Sequence, residues 1–183
     1  KIQRPDARGL IEQDLALLEV FAEKAAKRPS LKLVIDMEAV FQHLADSLQR
    51  ELDFRQEAAN MQRIVEVLES FPRLAVPAVH HDLSTSRLLV MHDVAGGPID
   101  TASDGEPRRE AARQLLESFY KQIMVDGFFH ADPHPGNLMW QPEEERLYFL
   151  DLGMVGEVGA EMREQLMLLL MAFSQEDVGF LTD

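Results

Sequence analysis

Apolar residues recur at helical spacing through much of the first third of the chain and then give way to shorter runs. Over about residues 7–27, Leu10, Leu17, Leu18 and Phe21 alternate with charged positions such as Asp14, which predicts a helix ended by Pro29. A second helical tract covers about residues 36–70. Val40, Leu44, Leu48, Leu52, Met61, Ile64, Val65 and Leu68 form one apolar stripe along it, and its length predicts a bend or break near Asp53. Pro72 and Pro77 mark a crossing loop, beside which residues 75–79 and 87–91 read as strands. Gly and Pro concentrate in residues 92–98, the pattern of a linker. An amphipathic helix is predicted over about residues 108–126, with Leu115, Leu116, Phe119, Ile123 and Met124 facing a core and Gly127 as its stop. Residues 138–140 and 147–150 read as two short strands around the polar turn 141–146. A last helix over about residues 160–173 carries Met162, Leu166, Leu169, Leu170 and Phe173. No internal repeat interrupts this order.

Composition narrows what such a chain does. Its 183 residues can bury one core. A net charge of −14 argues against a nucleic-acid surface or a polybasic membrane patch, because phosphate backbones and anionic lipids repel it. It leaves nucleotide binding open, since metal ions bridge carboxylates and phosphates locally. The absence of cysteine excludes disulfides, thiolate zinc sites and a cysteine nucleophile. No run reaches the roughly 18 to 20 apolar residues of a membrane span, and residues 166–173 suit a buried or interfacial helix. The chain starts at Lys1 with neither an initiator Met nor a signal-like segment, so a piece of a longer protein is expected.

The strongest chemical signal is His130-Ala131-Asp132-Pro133-His134-Pro135-Gly136-Asn137, followed after the hairpin by Leu150-Asp151-Leu152-Gly153. Four residues separate Asp132 from Asn137, the interval of a kinase catalytic loop, and Asp-Leu-Gly stands in the place of the metal-binding Asp-Phe-Gly. A triphosphate needs divalent cations on hard oxygen ligands, which one carboxylate and one amide on neighbouring loops supply. A second carboxylate then orients the attacking hydroxyl or water. The intervening hairpin should return Asn137 and Asp151 to one edge. A rival reading takes His130, Asp132 and His134 as transition-metal ligands, but two prolines break the alternation and no distant ligand pair matches it.

These segments in this order, with Lys1-Ile2-Gln3-Arg4-Pro5 ahead of them and Glu51-Leu52-Asp53-Phe54-Arg55-Gln56-Glu57-Ala58-Ala59-Asn60 between, resemble the UbiB/ADCK family of atypical kinase-like proteins. The resemblance reaches to about residue 175. It implies an α+β, protein-kinase-like fold: a partial N-lobe over residues 1–91, a hinge over 92–98 and a mainly helical C-lobe over 99–183. It also implies ATP and Mg²⁺ as ligands and an association with coenzyme Q and isoprenoid-lipid metabolism, with a lipid or isoprenoid among the candidate substrates. By the same resemblance Lys1 contacts phosphates and Glu57 is its ion-pair partner, while Glu51 and Asp53 form the family's ExD motif. Asp132 is the catalytic acid and Asn137 and Asp151 are the metal ligands. His92 and Val94 offer a backbone carbonyl and amide to adenine. The KxGQ helix, the Ala-rich loop and the membrane-spanning tail of many members are not in this sequence. Membrane association therefore depends on segments outside it, and the expected location is the bacterial cytoplasm or the periphery of the inner membrane.

Two other readings stand beside this one. A small-molecule kinase of the aminoglycoside or choline type also carries HxDxxxxN and DxG, but not the segment from Glu51 to Asn60 in this position. A pseudokinase scaffold would use the same residues for nucleotide binding alone. Within the leading reading, His134 stands where many kinases place a lysine, so the site lacks a cation and weak ATPase activity is expected over transfer to protein hydroxyls.

Overall fold

The computed structural model describes residues 1–26 and 36–174, which fall into two compact units: Lys1–Ala58 with Val79–Val90, and Ala59–Ala78 with the chain from Met91 onward. Pro29, the expected stop of the first helix, lies outside the described residues.

In the first unit α1 (Ala7–Ala26) packs on α2 (Met37–Glu51). Asp36 caps α2 by accepting from the Glu38 and Ala39 amides at 3.2 and 3.0 Å. Leu15, Ala22 and Ala45 are buried, whereas Leu17, Phe21, Val40 and Leu44 are exposed. The predicted break occurs at Leu52 and Asp53, where Asp53 Oδ1 accepts the Arg55 amide and α3 (Phe54–Leu68) begins. The single stripe expected across this tract is thereby corrected. Met61, Ile64 and Leu68 are buried but Val40 and Leu44 are not, because the turn gives each helix its own inward face, and Val65 lies off that of α3. Residues 1–3 pair antiparallel with 87–89 through mutual Lys1 and Leu89 backbone hydrogen bonds of 2.7 and 2.9 Å and a bridge from Ile2 to Leu88.

The second unit holds six short strands: β1 (Leu74–Ala75), β2 (Gly97–Pro98), β3 (Phe128–His130), β4 (Leu138–Gln141), β5 (Arg146–Phe149) and β6 (Val155–Glu157). One sheet runs β1-β5-β4-β2, and β3 pairs antiparallel with β6. The expected 138–150 hairpin forms, with Leu138 opposite Phe149 and Gln141 opposite Arg146. The expected strand 75–79 shrinks to Leu74–Ala75 and pairs with β5. Pro77, lacking an N–H, interrupts the ladder, so His80 to Val90 and His92 to Ala78 contribute only isolated backbone bonds. The 92–98 linker ends in a strand that lies so close to β4 that a Cβ on Gly96 would sit 2.3 Å from the Trp140 carbonyl oxygen.

The helix predicted over 108–126 is α4 (Glu106–Tyr120) continued by a wide π turn, Lys121–Asp126, and stopped by Gly127 at φ +67°. Its inward face differs from expectation. Ala111, Gln114 and Ser118 are buried while Leu116 is 74 % exposed, because these polar groups bond inward, Gln114 Oε1 accepting the Arg73 amide at 2.8 Å. The last helix, α5 (Ala160–Ser174), leaves Leu168 to Met171 exposed. Phe149, Leu147, Leu152, Met61 and Ile64 form the deepest part of the core, with Trp140 beside them at its margin.

Candidate functional site

The segment that carries Asp132 leaves β3 and turns at once. His134 N–H donates to the Asp132 carbonyl at 2.8 Å, and the two prolines lead into a single 3₁₀ turn, Pro135–Asn137. The His134 side chain is used locally: its Nδ1 accepts the Gly136 amide at 3.0 Å and so caps its own turn. Asn137 joins the expected residues. Its Nδ2 donates to the Asp132 carbonyl at 3.3 Å and lies 3.5 Å from Asp132 Oδ2, while its backbone carbonyl accepts the Leu150 amide at 2.9 Å. Asp151 is therefore one residue beyond the partner of Asn137. Its Oδ1 accepts the Gly153 amide at 3.1 Å, an Asx turn that fixes the carboxylate against its own loop. Asp132, Asn137 and Asp151 thus gather at one end of the β4–β5 hairpin, with Asp132 exposed and the other two half-buried.

The histidines do not join that set. His130 is 2 % exposed, packs edge-on against Phe149 at 5.8 Å and 73°, and has Nδ1 3.3 Å from the Met154 carbonyl oxygen. Burial pushes its pKa below the ordinary imidazole value. The transition-metal reading of His130, Asp132 and His134 accordingly fails on geometry, one ring lying in the core and the other capping a turn. Among the described residues no group of three or more His, Asp or Glu side chains is placed to hold a metal ion. One carboxylate and one amide oxygen is instead a donor set suited to a hard divalent cation that takes its remaining ligands from phosphate and water.

The first unit carries the other expected residues. Lys1 Nζ donates to Glu57 Oε1 at 2.5 Å, with the glutamate side chain 5 % exposed and the lysine side chain 30 %. Asp53 is held bidentately by Arg55, at 3.0 Å from Nε and 2.8 Å from Nη2, and that guanidinium keeps its carboxyl below the usual carboxylate range. Leu15, Leu52 and Arg8 join this pair in lining a groove of about 420 Å³. The side chain of Glu51 lies outside what the structure describes. Of the two linker positions, His92 uses its amide on Ala78 and Val94 uses its carbonyl on Gly96, both at 2.8 Å. Among the described residues the His92 carbonyl and the Val94 amide make no hydrogen bond, and these are the groups expected to face a base.

Sequence reasoning gave no role to three residues that shape this region. Asn60 Nδ2 donates to the Leu152 carbonyl at 2.9 Å, Gln122 Oε1 accepts the His130 amide at 2.9 Å, and the Met154 carbonyl receives both the Ala131 amide and the His130 ring. A signal for the second was present: Gln114, Ser118 and Gln122 make an uncharged polar stripe at helical spacing along an amphipathic helix.

A family profile for the ABC1 atypical kinase-like domain matches residues 1–181. The chain belongs to this family. Over 184 residues the ABC1 domain is 34 % identical to the chloroplastic protein ACTIVITY OF BC1 COMPLEX KINASE 8 of Arabidopsis thaliana, covering 97 % of the chain and 24 % of the relative. It is 32 % identical over 184 residues to the probable protein kinase UbiB of Azotobacter vinelandii, covering 97 % and 34 %. The structure of the Rv3197–erythromycin complex from Mycobacterium tuberculosis superposes with a TM-score of 0.66 at 25 % identity, covering 99 % of this chain and 46 % of that one. The fold is kinase-like and α+β. The ABC1 domain spans about a quarter to a third of the length of these curated relatives. Among its described residues no helix is long and apolar enough to cross a membrane.

Proposed function

We propose that this ABC1 domain is an ATP-binding, Mg²⁺-dependent kinase or ATPase core serving coenzyme Q or isoprenoid-lipid biosynthesis, at the bacterial inner membrane or in the cytoplasm beside it. The observation that carries the reading is the gathering of Asp132, Asn137 and Asp151 at one hairpin end, since kinase-like chemistry asks for an acid, an amide and a second acid together. Asn137 supports the role of metal ligand because its Nδ2 faces Asp132, which turns Oδ1 the other way. Asp151 supplies the carboxylate charge. A divalent ion held by these two would neutralise phosphate oxygens and charge developing on the transferred group.

Asp132 orients the attacking hydroxyl or water through its exposed carboxylate. In the first unit, Glu57 holds Lys1 in a fixed pose, which suits an ammonium that contacts phosphate oxygens. The unused His92 carbonyl and Val94 amide offer an acceptor and a donor to a purine edge. His134, its Nδ1 capping its own turn, stands two residues beyond Asp132 where many kinases place a lysine. That supports slow hydrolysis, or transfer to a small or lipid-linked acceptor, over phosphorylation of generic proteins.

Differential scanning fluorimetry of the full-length protein tests this. Wild-type protein should melt at higher temperature with ATP and MgCl₂ than without. Asp151→Asn should melt as wild type in the apo form and lose that shift, because the carboxylate charge goes while the volume stays. A retained shift in Asp151→Asn would refute the metal-ligand assignment. Asp132→Asn should keep the shift and lose ADP release.

A further inference from the structure

We infer that Gln122 is a positioning residue for Asp132, acting through the backbone of His130; the inference rests on the phosphoryl-transfer reading of Asp132. Among the described residues strand β3 has one partner, β6, which it meets through the Ala131 amide on the Met154 carbonyl at 3.0 Å and the Val158 amide on the Gly127 carbonyl at 2.8 Å. The intervening His130 N–H points to the other edge of β3, where none of the described strands lies. Gln122 Oε1 takes that N–H at 2.9 Å, so a side-chain amide stands in for the missing strand.

The amide is itself anchored. Gln122 has no exposed surface, and its Nε2 donates to Ser118 Oγ at 3.4 Å. Ser118, equally buried, passes its own proton to the Leu115 carbonyl at 2.8 Å. A buried amide without partners is costly, so both ends of the Gln122 side chain are hydrogen-bonded. It sits where α4 opens into the π turn, a local widening common at functional sites.

Two features make this support directional rather than merely structural. The bonded amide is two residues before Asp132, whose own hold on Asn137 is long, at 3.3 and 3.5 Å. The His130 ring adds little from its far side, since Nε2 is buried and has no hydrogen-bond partner. At the β3 end of this segment, among the described residues, the firm hydrogen bonds are those to Gln122 and Met154.

The test uses Gln122→Met, which fills similar volume without a strong acceptor, beside Gln122→Glu, whose buried carboxyl stays protonated and can restore both bonds. In full-length protein, Gln122→Met should lower kcat for Mg²⁺-dependent ATP hydrolysis per folded molecule about ten- to a hundredfold, the cost of a misplacement near 1 Å, with KM for ATP unchanged. Gln122→Glu should recover most of that loss. In nucleotide-free protein, His130 amide exchange should speed up in Gln122→Met and not in Gln122→Glu. A Gln122→Met variant with wild-type kcat and exchange would overturn the assignment. Should Gln122→Met not fold, Ser118→Ala decides: a smaller fall in kcat at constant KM supports the relay, and wild-type kinetics refutes it. A wild-type protein that turns over no ATP would remove the phosphotransfer reading, and the exchange data would still show whether Gln122 orders the segment.

Discussion

Individual side chains in this chain do more than the spacing of their letters conveys. The spacing of Asp132, Asn137 and Asp151 marked them as candidates because phosphoryl-transfer chemistry asks for such intervals. That Asp53 is engaged by Arg55, and that His134 caps its own turn, could not be read from spacing, since both depend on rotamers the sequence leaves open. The Lys1–Glu57 pair also differs from an exposed ion pair, because Glu57 is 4 % exposed. Glu57→Gln should therefore cost about 1.5 to 3 kcal/mol of stability, the range for a hydrogen bond to a charged group, measured by urea unfolding; a loss below about 0.5 kcal/mol would match a solvated surface pair. His130 gives a pH dependence. Its folded pKa is lowered by burial, so below the ordinary imidazole value the unfolded chain binds a proton the folded chain refuses. Its contribution is then complete above about pH 6.5 and is lost as pH falls through the window down to its folded pKa. Unfolding free energy of wild type should fall between pH 7 and 5 more steeply than that of His130→Asn, by up to about 1.4 kcal/mol per pH unit. Parallel slopes would contradict the buried, neutral ring.

Among the elements, the long helices were legible because their apolar periods persist for several turns. The small sheets were not: β3 and β6 are three residues each, too short to show an alternation. Their pairing depends on a contact no pattern announces, Gly156 lying under the Phe129 ring, where a Cβ would come within 2.3 Å of Cζ. The π turn was equally hidden, since its sequence continues the apolar period of α4 while its hydrogen bonds do not. Its stop was readable. Gly127 holds φ +67°, and a Cβ there would fall 2.6 Å from the Val158 carbonyl oxygen, beside the bond that pairs Val158 with Gly127. Gly127→Ala should destabilise by about 1 to 3 kcal/mol, the range for a non-glycine held in left-handed backbone, and thermal melting reads this directly. The nearby Gly159, where a Cβ would meet nothing within 4 Å, is the control: Gly159→Ala should melt near wild type.

For the molecule as a whole, the kinase-like class was readable because the order of motifs along the chain reproduces the order the chemistry requires. The division into two compact units was not, because both are assembled from separated stretches, 1–58 with 79–90 and 59–78 with the remainder. Such interleaving leaves no compositional seam for a sequence to reveal. Within the second unit, one oxygen has a wider consequence. The Met154 carbonyl accepts the Ala131 amide at 3.0 Å and faces the His130 ring at 3.3 Å, just after the Asp151-Leu152-Gly153 turn that Asn60 pins at Leu152. Both donors belong to the segment that leads to Asp132 and the acceptor belongs to the loop after Asp151, so neither loop can move away without breaking this junction. The two loops are therefore a single cooperative opening unit, and native-state hydrogen exchange should give the Ala131 and Leu150 amides the same opening free energy and the same denaturant dependence. Different values would mean that the loops melt one at a time. If they melt together, every excursion that exposes one loop of the candidate site dissolves the other, and neither loop reaches solvent alone.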